Sequence, residues 1–394
     1  MSVTPLMLAT LFLIGASDVP NISNGRTPTV KTLDFQLVED LRISSDDRDD
    51  NYVWAGFEVA VSADKAGNMY IIDPRENRII QLDKDGTFIR SIGQKGEGPG
   101  EFRALTGMTL LDDQTIVAYD IRSPGSFHFF DAGYKFVRRQ ALNGPDRNNL
   151  RDGVLSPNGR WIFGRTTRIQ ASPNVVFFEY SLFNNKMEKL HSLLQFQLDG
   201  FDPSRQGDPA FWKKFLADRI GVDGKGLLAY VAYGSKGEVY TAVGTKYEIT
   251  RWTPDMVEDL RITRDYKPIV LSEQEIDAIV SPIFAQAKEQ LPDEHKHILS
   301  AAMIKESVEL AGFPPAKPPI LGLKVTDQGI LVVIHDHSEI SGRQSADLFD
   351  QKGRFVGRFT HENYGLKRMF FKNGYAYTIE TVDEENELVR YKIN

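Results

Sequence analysis

A polar turn rich in glycine, asparagine and aspartate recurs along the 394-residue chain, each time before a run of alternating apolar and aromatic residues. The turns are centred on Gly67, Asp113, Gly159, Gly237, Gly329 and Gly374. The intervals between these positions are 46, 46, 78, 92 and 45 residues. Three intervals match the roughly 40–50 residues of a four-stranded propeller blade, and the two longer ones fit the same unit with an insertion. The spacing therefore predicts six repeated units.

Two internal alignments support the repeat. Residues 67–82 align without a gap on residues 237–252, and residues 82–89 align on residues 349–356. The second pair is typical of two strands joined by a short Asp/Gly turn. A single four-stranded sheet cannot bury both of its faces, whereas six sheets stacked around an axis bury face against face. We therefore predict an all-β fold, a six-bladed β-propeller with four-stranded blades over residues 31–394.

The two ends of the chain are predicted to meet in the last blade. Only three strand-like runs follow Leu366, although a blade needs four strands. Residues 31–43 alternate between apolar and polar positions and precede the first blade. Without a fourth strand the last blade would expose an unpaired edge. We predict that residues 31–43 form its outer strand and close the ring.

The N terminus resembles an export signal. Residues 6–14 are apolar and are followed by Gly15, Ala16 and Ser17, which is typical of a secretory signal peptide and too short for a transmembrane helix. We expect residues 1–17 to be a signal peptide, residues 18–30 to be a linker, and the mature chain to be periplasmic or secreted. A buried N-terminal strand is the alternative, because no Lys or Arg precedes the apolar run.

Charge and composition exclude several classes of protein. The formal net charge of −7 argues against a nucleic-acid partner or general binding to anionic membranes. The absence of cysteine excludes disulfides, thiolate catalysis and Cys-ligated zinc. No segment beyond the N terminus is apolar and long enough to span a membrane. We expect a monomer.

The two long intervals contain helical patterns. Asp208 followed by Pro209 begins an apolar stripe that predicts a short helix packed on the propeller surface. Ser272 and Glu275 form a predicted capping box at the start of a longer helical stretch. We therefore predict a helical insertion over about residues 272–313, between blades 4 and 5.

The most specific motif lies in the first blade. It runs through Ala66-Gly-Asn-Met-Tyr-Ile-Ile-Asp73 and Asp83-Lys-Asp-Gly86 to Gly93-Gln-Lys-Gly-Glu-Gly-Pro-Gly-Glu-Phe102. This segment resembles the NHL-repeat consensus, and within that class it is most similar to bacterial exported proteins described simply as six-bladed β-propellers. The resemblance implies the fold. It implies no single activity, because NHL propellers bind proteins or RNA and some six-bladed propellers are metal-dependent lyases or lactonases.

A polar rim is predicted around one mouth of the central channel. The loops between the second and third strands share that face with the connections between blades. The candidate residues there are Asp73, Arg75, Asn77, Arg78, Asp120, Arg122, Arg165, Arg168 and Lys246. Side chains of both charge signs suit a polar or anionic ligand. The alternative is that acid and base pair with each other, as Asp73 with Arg78, and only stabilise the blades.

One histidine pair suggests a divalent metal. His335 and His337 are two residues apart on a predicted strand, so their side chains point to the same face and can chelate one ion. A third ligand would have to come from another blade. The alternative is a pair of polar loop residues.

Two functions from different classes remain open at this point. The absence of nucleophile, zincin and nucleotide-binding motifs favours a non-catalytic exported propeller without catalytic residues. It would bind a protein, peptide or glycan ligand on its loop face and need no cofactor. The alternative is a metal-dependent hydrolase or lyase with its site in the central channel. That enzyme would need His, Asp or Glu side chains converging from several blades.

Overall fold

The computed structural model describes residues 19–44, 60–122, 125–142, 149–171, 174–312, 316–335, 343–362, 365–382 and 385–394. Within these ranges six sheets of four or more strands follow one another, and each sheet is one blade. Neighbouring strands within each sheet are antiparallel and consecutive in sequence, except where the N-terminal segment joins. The predicted six-bladed β-propeller is therefore confirmed.

The first three blades use only consecutive strands. Blade 1 consists of Val61–Ala63, Met69–Asp73, Arg78–Leu82 and Phe88–Ile92. Blade 2 consists of Leu105–Leu110, Ile116–Asp120, Ser126–Phe130 and Phe136–Ala141. Blade 3 consists of Asn149–Leu155, Trp161–Ala171, Asn174–Asn184 and Lys189–Asp199. Between blades 1 and 2, Gln94–Lys95 pairs in parallel with Glu101–Phe102.

Blades 4 and 6 also include strands from the N-terminal segment. Blade 4 consists of Ala229–Tyr233, Val239–Val243, Glu248–Trp252 and Glu258–Arg264, with Asn21–Asn24 added outside. Blade 5 consists of Gly322–Val325, Leu331–His335, Arg343–Phe349 and Phe355–Glu362. Blade 6 consists of Phe370–Lys372, Tyr375–Val382, Glu385–Ile393 and Leu37–Ser44.

The recurring turn has a local cause. In blade 1 the Asp64 carboxylate accepts the backbone N–H groups of Ala66 and Asn68, at 2.8 and 2.9 Å. Gly67 then adopts a φ of +88°, which residues with a side chain rarely adopt. The same positive φ recurs at Gly237, the aligned position of blade 4. The turn thus needs particular residue types, which explains why its repeat is visible in the sequence.

The predicted ring closure is confirmed. Leu37–Ser44 pairs antiparallel with Glu385–Ile393 as the outer strand of blade 6, and Leu37 lies opposite Ile393. The strand starts later than the predicted residue 31, because the chain first contacts blade 5, where the Leu33 N–H donates to the Val356 carbonyl at 2.7 Å.

A second strand lies within residues 18–30, the segment predicted as a linker. Asn21–Asn24 pairs in parallel with the outer strand of blade 4, with Asn24 opposite Arg264. The buried Asn24 side chain donates to the Gly353 carbonyl at 2.9 Å and accepts the Phe355 N–H at 2.7 Å. Residues 21–44, which we call the N-terminal strap, therefore contact the outer edges of blades 4, 5 and 6.

The described residues include three α-helices, α1 (Pro209–Gly224), α2 (Glu273–Gln290) and α3 (Ala301–Ala311), and three short 3-10 turns, Pro203–Arg205, Asp293–Ile298 and Gly365–Arg368. The predicted capping box between Ser272 and Glu275 is present at the start of α2. Helix α1 does not pack separately on the propeller, because its buried Trp212 and Leu216 share one apolar core with α2 and α3. We call α1, α2 and α3 the three-helix unit.

The rest of the core lies between neighbouring blades. Phe102 is fully buried after the glycine-rich segment, and its ring centre lies 5.8 Å from that of Phe130. It therefore fills the space between blades 1 and 2. Similar apolar clusters lie between the other described pairs of neighbouring blades, which is how six thin sheets exclude water from both faces.

Candidate functional site

Strand direction determines which loops share a face. Because strands alternate in direction, the loop between the second and third strands leaves the blade at the same end as the connection to the next blade. We call this end of the propeller the upper face. Helix α1 lies in the connection from blade 3 to blade 4, and α2 and α3 lie in the next one. The three-helix unit therefore belongs to the face for which the polar rim was predicted.

The rim candidates of blade 1 make bonds within the chain. Asp73 is fully buried and accepts the backbone N–H groups of Arg75 and Glu76, at 3.2 and 3.3 Å. Arg78 Nε donates to the Asp73 carboxylate at 3.0 Å, so the structure contains the ion pair considered as the alternative. Asn77 has a φ of +53°, and its Oδ1 accepts the Leu105 N–H at 2.9 Å. Asn77 thus joins blade 1 to the inner strand of blade 2.

Asp120 has the same kind of role in blade 2. Its side chain is 1% exposed, and its two oxygens accept the N–H groups of Arg103, Ala104 and Arg122 at 2.9, 3.2 and 3.0 Å. Three backbone donors leave this carboxylate little capacity for an external ligand. Asp120 therefore holds the chain as it crosses from blade 1 into blade 2.

The exposed candidates on the upper face are all cations. Arg75, Arg122, Arg168 and Lys246 are exposed, and we call these four residues the cationic rim. Arg75 Nε lies 3.7 Å from Glu76, a distance that leaves the ion pair weak. The guanidinium of Arg168 lies 4.2 Å from the centre of the Phe177 ring.

Arg165, in blade 3, is half-buried rather than exposed. Its guanidinium lies 5.6 Å from the centre of the Phe178 ring and 6.0 Å from that of Tyr180. These distances are within cation–π range, so aromatic rings position the Arg165 side chain.

Blade 3 projects above its neighbours on this face. Its second, third and fourth strands have 11 residues each, compared with 5 in the corresponding strands of blade 1. In both blades the turn between the first and second strands lies at the opposite, lower end, and the second strand begins equally soon after it. The additional residues of blade 3 therefore lie at the upper end. Helix α1 packs beside this projection, and Lys214 Nζ lies 3.0 Å from the Asp199 carboxylate. The projection and the three-helix unit form a wall on one side of the upper face.

His335 is part of a buried ionic network between blades 4 and 5. Its Nε2 lies 3.2 Å from Asp347 Oδ1, and both side chains are fully buried. Asp347 also accepts bonds from Tyr247 Oη, Arg264 Nη1 and Arg358 Nε at 2.6, 2.7 and 2.8 Å. Burial alone would raise the pKa of Asp347, but the bond from His335 and the charges of Arg264 and Arg358 hold it well below the usual range.

The proposed metal pair is only partly within the described residues. His335 lies against Asp347, whereas His337 lies outside the described residues. Elsewhere, among the side chains that the structure describes, no group of three or more His, Asp or Glu is arranged to hold a metal ion. A metal ion bound to His335 Nε2 would have to displace this nitrogen from its contact with the Asp347 carboxylate.

Lys324 is a titratable residue that the sequence pattern does not single out. It lies on the innermost strand of blade 5, where its side chain is half-buried. Burial lowers its pKa to about 8, since the charged ammonium loses hydration. The order of apolar and polar residues along this four-residue strand does not reveal that the Lys324 pKa is lowered.

A family match and one solved structure, the DUF4221-family protein, support the fold. Residues 60–199 match DUF5128, a family model described as "6-bladed beta-propeller". A DUF4221-family structure from Bacteroides vulgatus has 9% identity over 92% of this chain and 99% of its own, with a TM-score of 0.52. A "Putative exported protein" from Bacteroides fragilis has 11% identity over 95% of this chain and 99% of its own, with a TM-score of 0.49. No protein with a curated description matches the sequence.

A further structural similarity is weaker. Virginiamycin B lyase from Staphylococcus aureus has 9% identity over 91% of this chain and 99% of its own, with a TM-score of 0.41. Within the described part of the chain, no helix combines the length and apolar character needed to cross a membrane. The six successive sheets, together with the match over residues 60–199, identify the chain as a six-bladed β-propeller.

Proposed function

We propose that the chain is a non-catalytic, exported β-propeller that binds an acidic protein, peptide or glycan on its upper face. One observation carries the proposal. The acidic and amide candidates Asp73, Asn77 and Asp120 are buried in bonds within the chain, whereas the four members of the cationic rim are exposed. The chain as a whole is acidic, so four exposed cations on the loops of one face are a local feature.

The chemistry of the exposed groups favours an anionic partner. Three of the four are arginines, whose planar guanidinium groups bind carboxylates through two parallel hydrogen bonds. A single exposed ion pair contributes about 0–1 kcal/mol, so binding would depend on several pairs formed together. Such a patch also accelerates association with an oppositely charged partner at low salt.

The test measures binding of the whole chain to two acidic polymers, poly-L-glutamate and polygalacturonate, at 50 and 300 mM NaCl. The rim variant carries Arg75→Ser, Arg122→Ser, Arg168→Ser and Lys246→Ser. The control variant removes four exposed lysines from turns on the opposite face, through Lys65→Ser, Lys84→Ser, Lys186→Ser and Lys352→Ser. Both variants lose four positive charges, so they differ only in where the charge is lost.

We expect the rim variant to lose at least tenfold in affinity at 50 mM NaCl, while the control variant stays within about twofold of the wild type. Binding should weaken at the higher salt concentration, because exposed charges are screened. Preference for one polymer would distinguish an acidic peptide from an acidic glycan as the ligand. Equal loss in both variants, or no binding of either polymer by the wild type, would contradict the proposal.

Export is part of the proposal and has a separate test. It is supported by the apolar run at residues 6–14, which lies outside the described residues. Fractionation of a bacterial host that expresses the full chain should recover it outside the cytoplasm. A chain without residues 1–17 should remain in the cytoplasm. Equal distribution of the two forms would contradict export through this segment.

A further inference from the structure

One face of the blade 3 projection is apolar. The projection comprises the upper ends of three neighbouring strands, residues 165–170, 175–180 and 194–199. Residues that lie opposite each other in neighbouring strands point to the same face of a sheet. The pairing register gives one face a top row of Ile169, Val176 and Leu198 and, below it, a row of Thr167, Phe178 and Phe196. All of these side chains except that of Thr167 are apolar. We call this surface the projection face.

Lower down, the same face of blade 3 is buried against blade 4. Phe163 and Leu182 lie opposite each other in the register, and both belong to an apolar cluster with Val239 of blade 4. Toward the upper end this cover is lost, since Ile169 is 71% exposed and the other two side chains of the top row are only half-buried. Within the described residues, none of the three belongs to an apolar cluster. Exposed apolar surface of this kind is typical of an interaction site.

Two stacked rings form the middle of the projection face. The ring centres of Phe178 and Phe196 are 5.1 Å apart, and the planes of the rings differ by only 17°. Phe196 also packs against the apolar cluster between blades 3 and 4. Side chains that are already held in position lose little freedom when a partner binds. The projection face therefore offers a preformed apolar surface.

The charged groups around the projection face favour an anionic partner. Arg165 is in the row below Phe178, and its guanidinium lies 5.6 Å from the centre of that ring. Lys246, a member of the cationic rim, is in the upper loop of blade 4, the blade on this side of the projection. Both acidic side chains of the projection, Glu179 and Asp199, are on the opposite face, and each pairs with a lysine, at 2.9 and 3.0 Å. The projection face thus combines apolar side chains with positive charge.

We propose that the projection face binds an acidic peptide segment that carries apolar side chains next to its carboxylates. The ligand is that of the proposed function, on which this proposal rests, narrowed to a peptide. Its carboxylates would meet Arg165 and Lys246, through the charge-assisted bonds that guanidinium and ammonium groups form. Its apolar side chains would lie on Ile169 and the stacked rings. An acidic glycan is disfavoured, because a polyuronate has no apolar side chain to cover the top row.

The test compares two blocked peptides of equal charge, one with five repeats of Glu-Leu and the other with five repeats of Glu-Ser. Calorimetric titration measures their binding to the whole chain at 50 and 300 mM NaCl. We expect the Glu-Leu peptide to bind at least tenfold more tightly than the Glu-Ser peptide. This ratio should persist at 300 mM NaCl, because salt screens charges but leaves apolar contacts in place. Equal affinity for the two peptides would overturn the proposal.

Variants locate the binding. Ile169→Ser combined with Val176→Ser removes the aliphatic top row without changing the charge. This double variant should bind the Glu-Leu peptide only about as tightly as the wild type binds the Glu-Ser peptide. Val137→Ser combined with Val257→Ser is the matched control, because it removes two exposed valines from the lower ends of blades 2 and 4, and it should bind as the wild type does. Wild-type affinity of the first double variant for the Glu-Leu peptide would exclude the projection face as the site.

Binding of poly-L-glutamate separates this proposal from the proposed function. The Ile169→Ser and Val176→Ser variant retains the cationic rim, so its affinity for poly-L-glutamate should stay within about twofold of the wild type. Binding of poly-L-glutamate together with equal affinity for the two peptides would overturn only the role of the projection face. No binding of poly-L-glutamate or of either peptide would overturn the proposed function as well. Tighter binding of polygalacturonate than of the Glu-Leu peptide would indicate a glycan ligand and would also overturn the proposal.

Discussion

At the scale of single residues, the buried carboxylates of the described chain either accept backbone N–H groups or belong to a charge network. Asp73 and Asp120 end the second strands of their blades, and each accepts the N–H of the residue two positions later. This local pattern is an Asx-type turn, and its residue types are present in the sequence. The predicted ligand groups Asp73 and Asp120 are therefore better explained as turn residues, whereas Arg75 and Arg122 beside them remain exposed.

Removal of the Asp347 carboxylate is expected to destabilise the protein strongly. Asp347→Asn leaves Arg264 buried without its counter-ion, and loss of one partner of a buried ion pair costs about 3–5 kcal/mol. Asp350→Asn is the control, because Asp350 pairs with the partly exposed Arg354 in a surface turn and should cost less than about 1 kcal/mol. Urea denaturation measures both free energies of unfolding. A loss for Asp347→Asn as small as that for Asp350→Asn would show that the network is not stabilising.

Lys324 is expected to make stability depend on pH in the alkaline range. Its pKa is about 8 in the folded chain and about 10.4 in the unfolded chain, so unfolding takes up a proton between these values. Stability should therefore rise as pH increases from about 8 to about 10.5. Lys324→Met should be more stable than the wild type by about 1–3 kcal/mol at pH 7, and the difference should disappear above pH 10.5. A constant difference across this range, measured by denaturant unfolding, would contradict the lowered pKa.

At the scale of secondary-structure elements, the N-terminal strap contacts three blades through few but specific bonds. Asn24 is its anchor, because its amide donates to the carbonyls of Thr263 and Gly353 and accepts the Phe355 N–H. Thr263 is in blade 4, whereas Gly353 and Phe355 are in blade 5. One side chain thus links two blades that are also joined through their apolar cluster and through the bonds of Tyr247 and Arg264 to Asp347.

The anchor can be tested by truncation of its side chain. Asn24→Ala leaves the buried Gly353 carbonyl and Phe355 N–H without their partner, and we expect a loss of about 2 kcal/mol. Asn21→Ala, at the exposed start of the same strand, should change stability by less than about 0.5 kcal/mol. Hydrogen exchange should also be faster at the Phe355 amide in Asn24→Ala. Unchanged exchange at this amide would show that Asn24 is not its protecting acceptor.

The elements differ in how well the sequence predicted them. The blades were predictable because the turn between the first and second strands of a blade favours Gly, Asn or Asp, as at Gly67 and Gly237. This requirement is local, so it leaves a repeat in the sequence. The strand Asn21–Asn24 was not, because it has four residues and its partners, around Ile262, are distant in sequence. Helix α1 was predicted as a separate surface helix, because the contacts of Trp212 with the later helices have no local signature.

At the scale of the whole molecule, closure depends on a strand from the opposite end of the chain. Leu37–Ser44 covers the edge of Glu385–Ile393, and Ile43 also packs against the turn of blade 1. In that turn, Gly86 has a φ of +91°, and a Cβ there would lie 2.4 Å from Ile43 Cδ1. The strap therefore belongs to the seam between blades 6 and 1, where the ring would otherwise open.

Three truncations separate the roles of the strap. Removal of residues 1–17 should leave the melting temperature unchanged. Removal of residues 1–26 deletes the strand beside blade 4 and should lower it by several degrees. Removal of residues 1–44 exposes the edge of blade 6 and should lower it much further or yield aggregated protein. Calorimetry or light scattering distinguishes these outcomes, and a chain without residues 1–44 that melts like the intact chain would contradict the closure.

The pairing of Leu37 with Ile393 also determines when the protein can fold. A ribosome adds about 5–20 residues per second, so roughly 20–70 s pass between synthesis of the strap and synthesis of its partner strand. During this interval blades 1 to 5 can form, but blades 5 and 1 each expose the apolar face that later packs against blade 6. Contacts between the two ends of a chain also slow folding itself. The newly made chain therefore passes through an open arc with two exposed apolar faces, and we expect a chaperone that binds apolar surface to increase its yield.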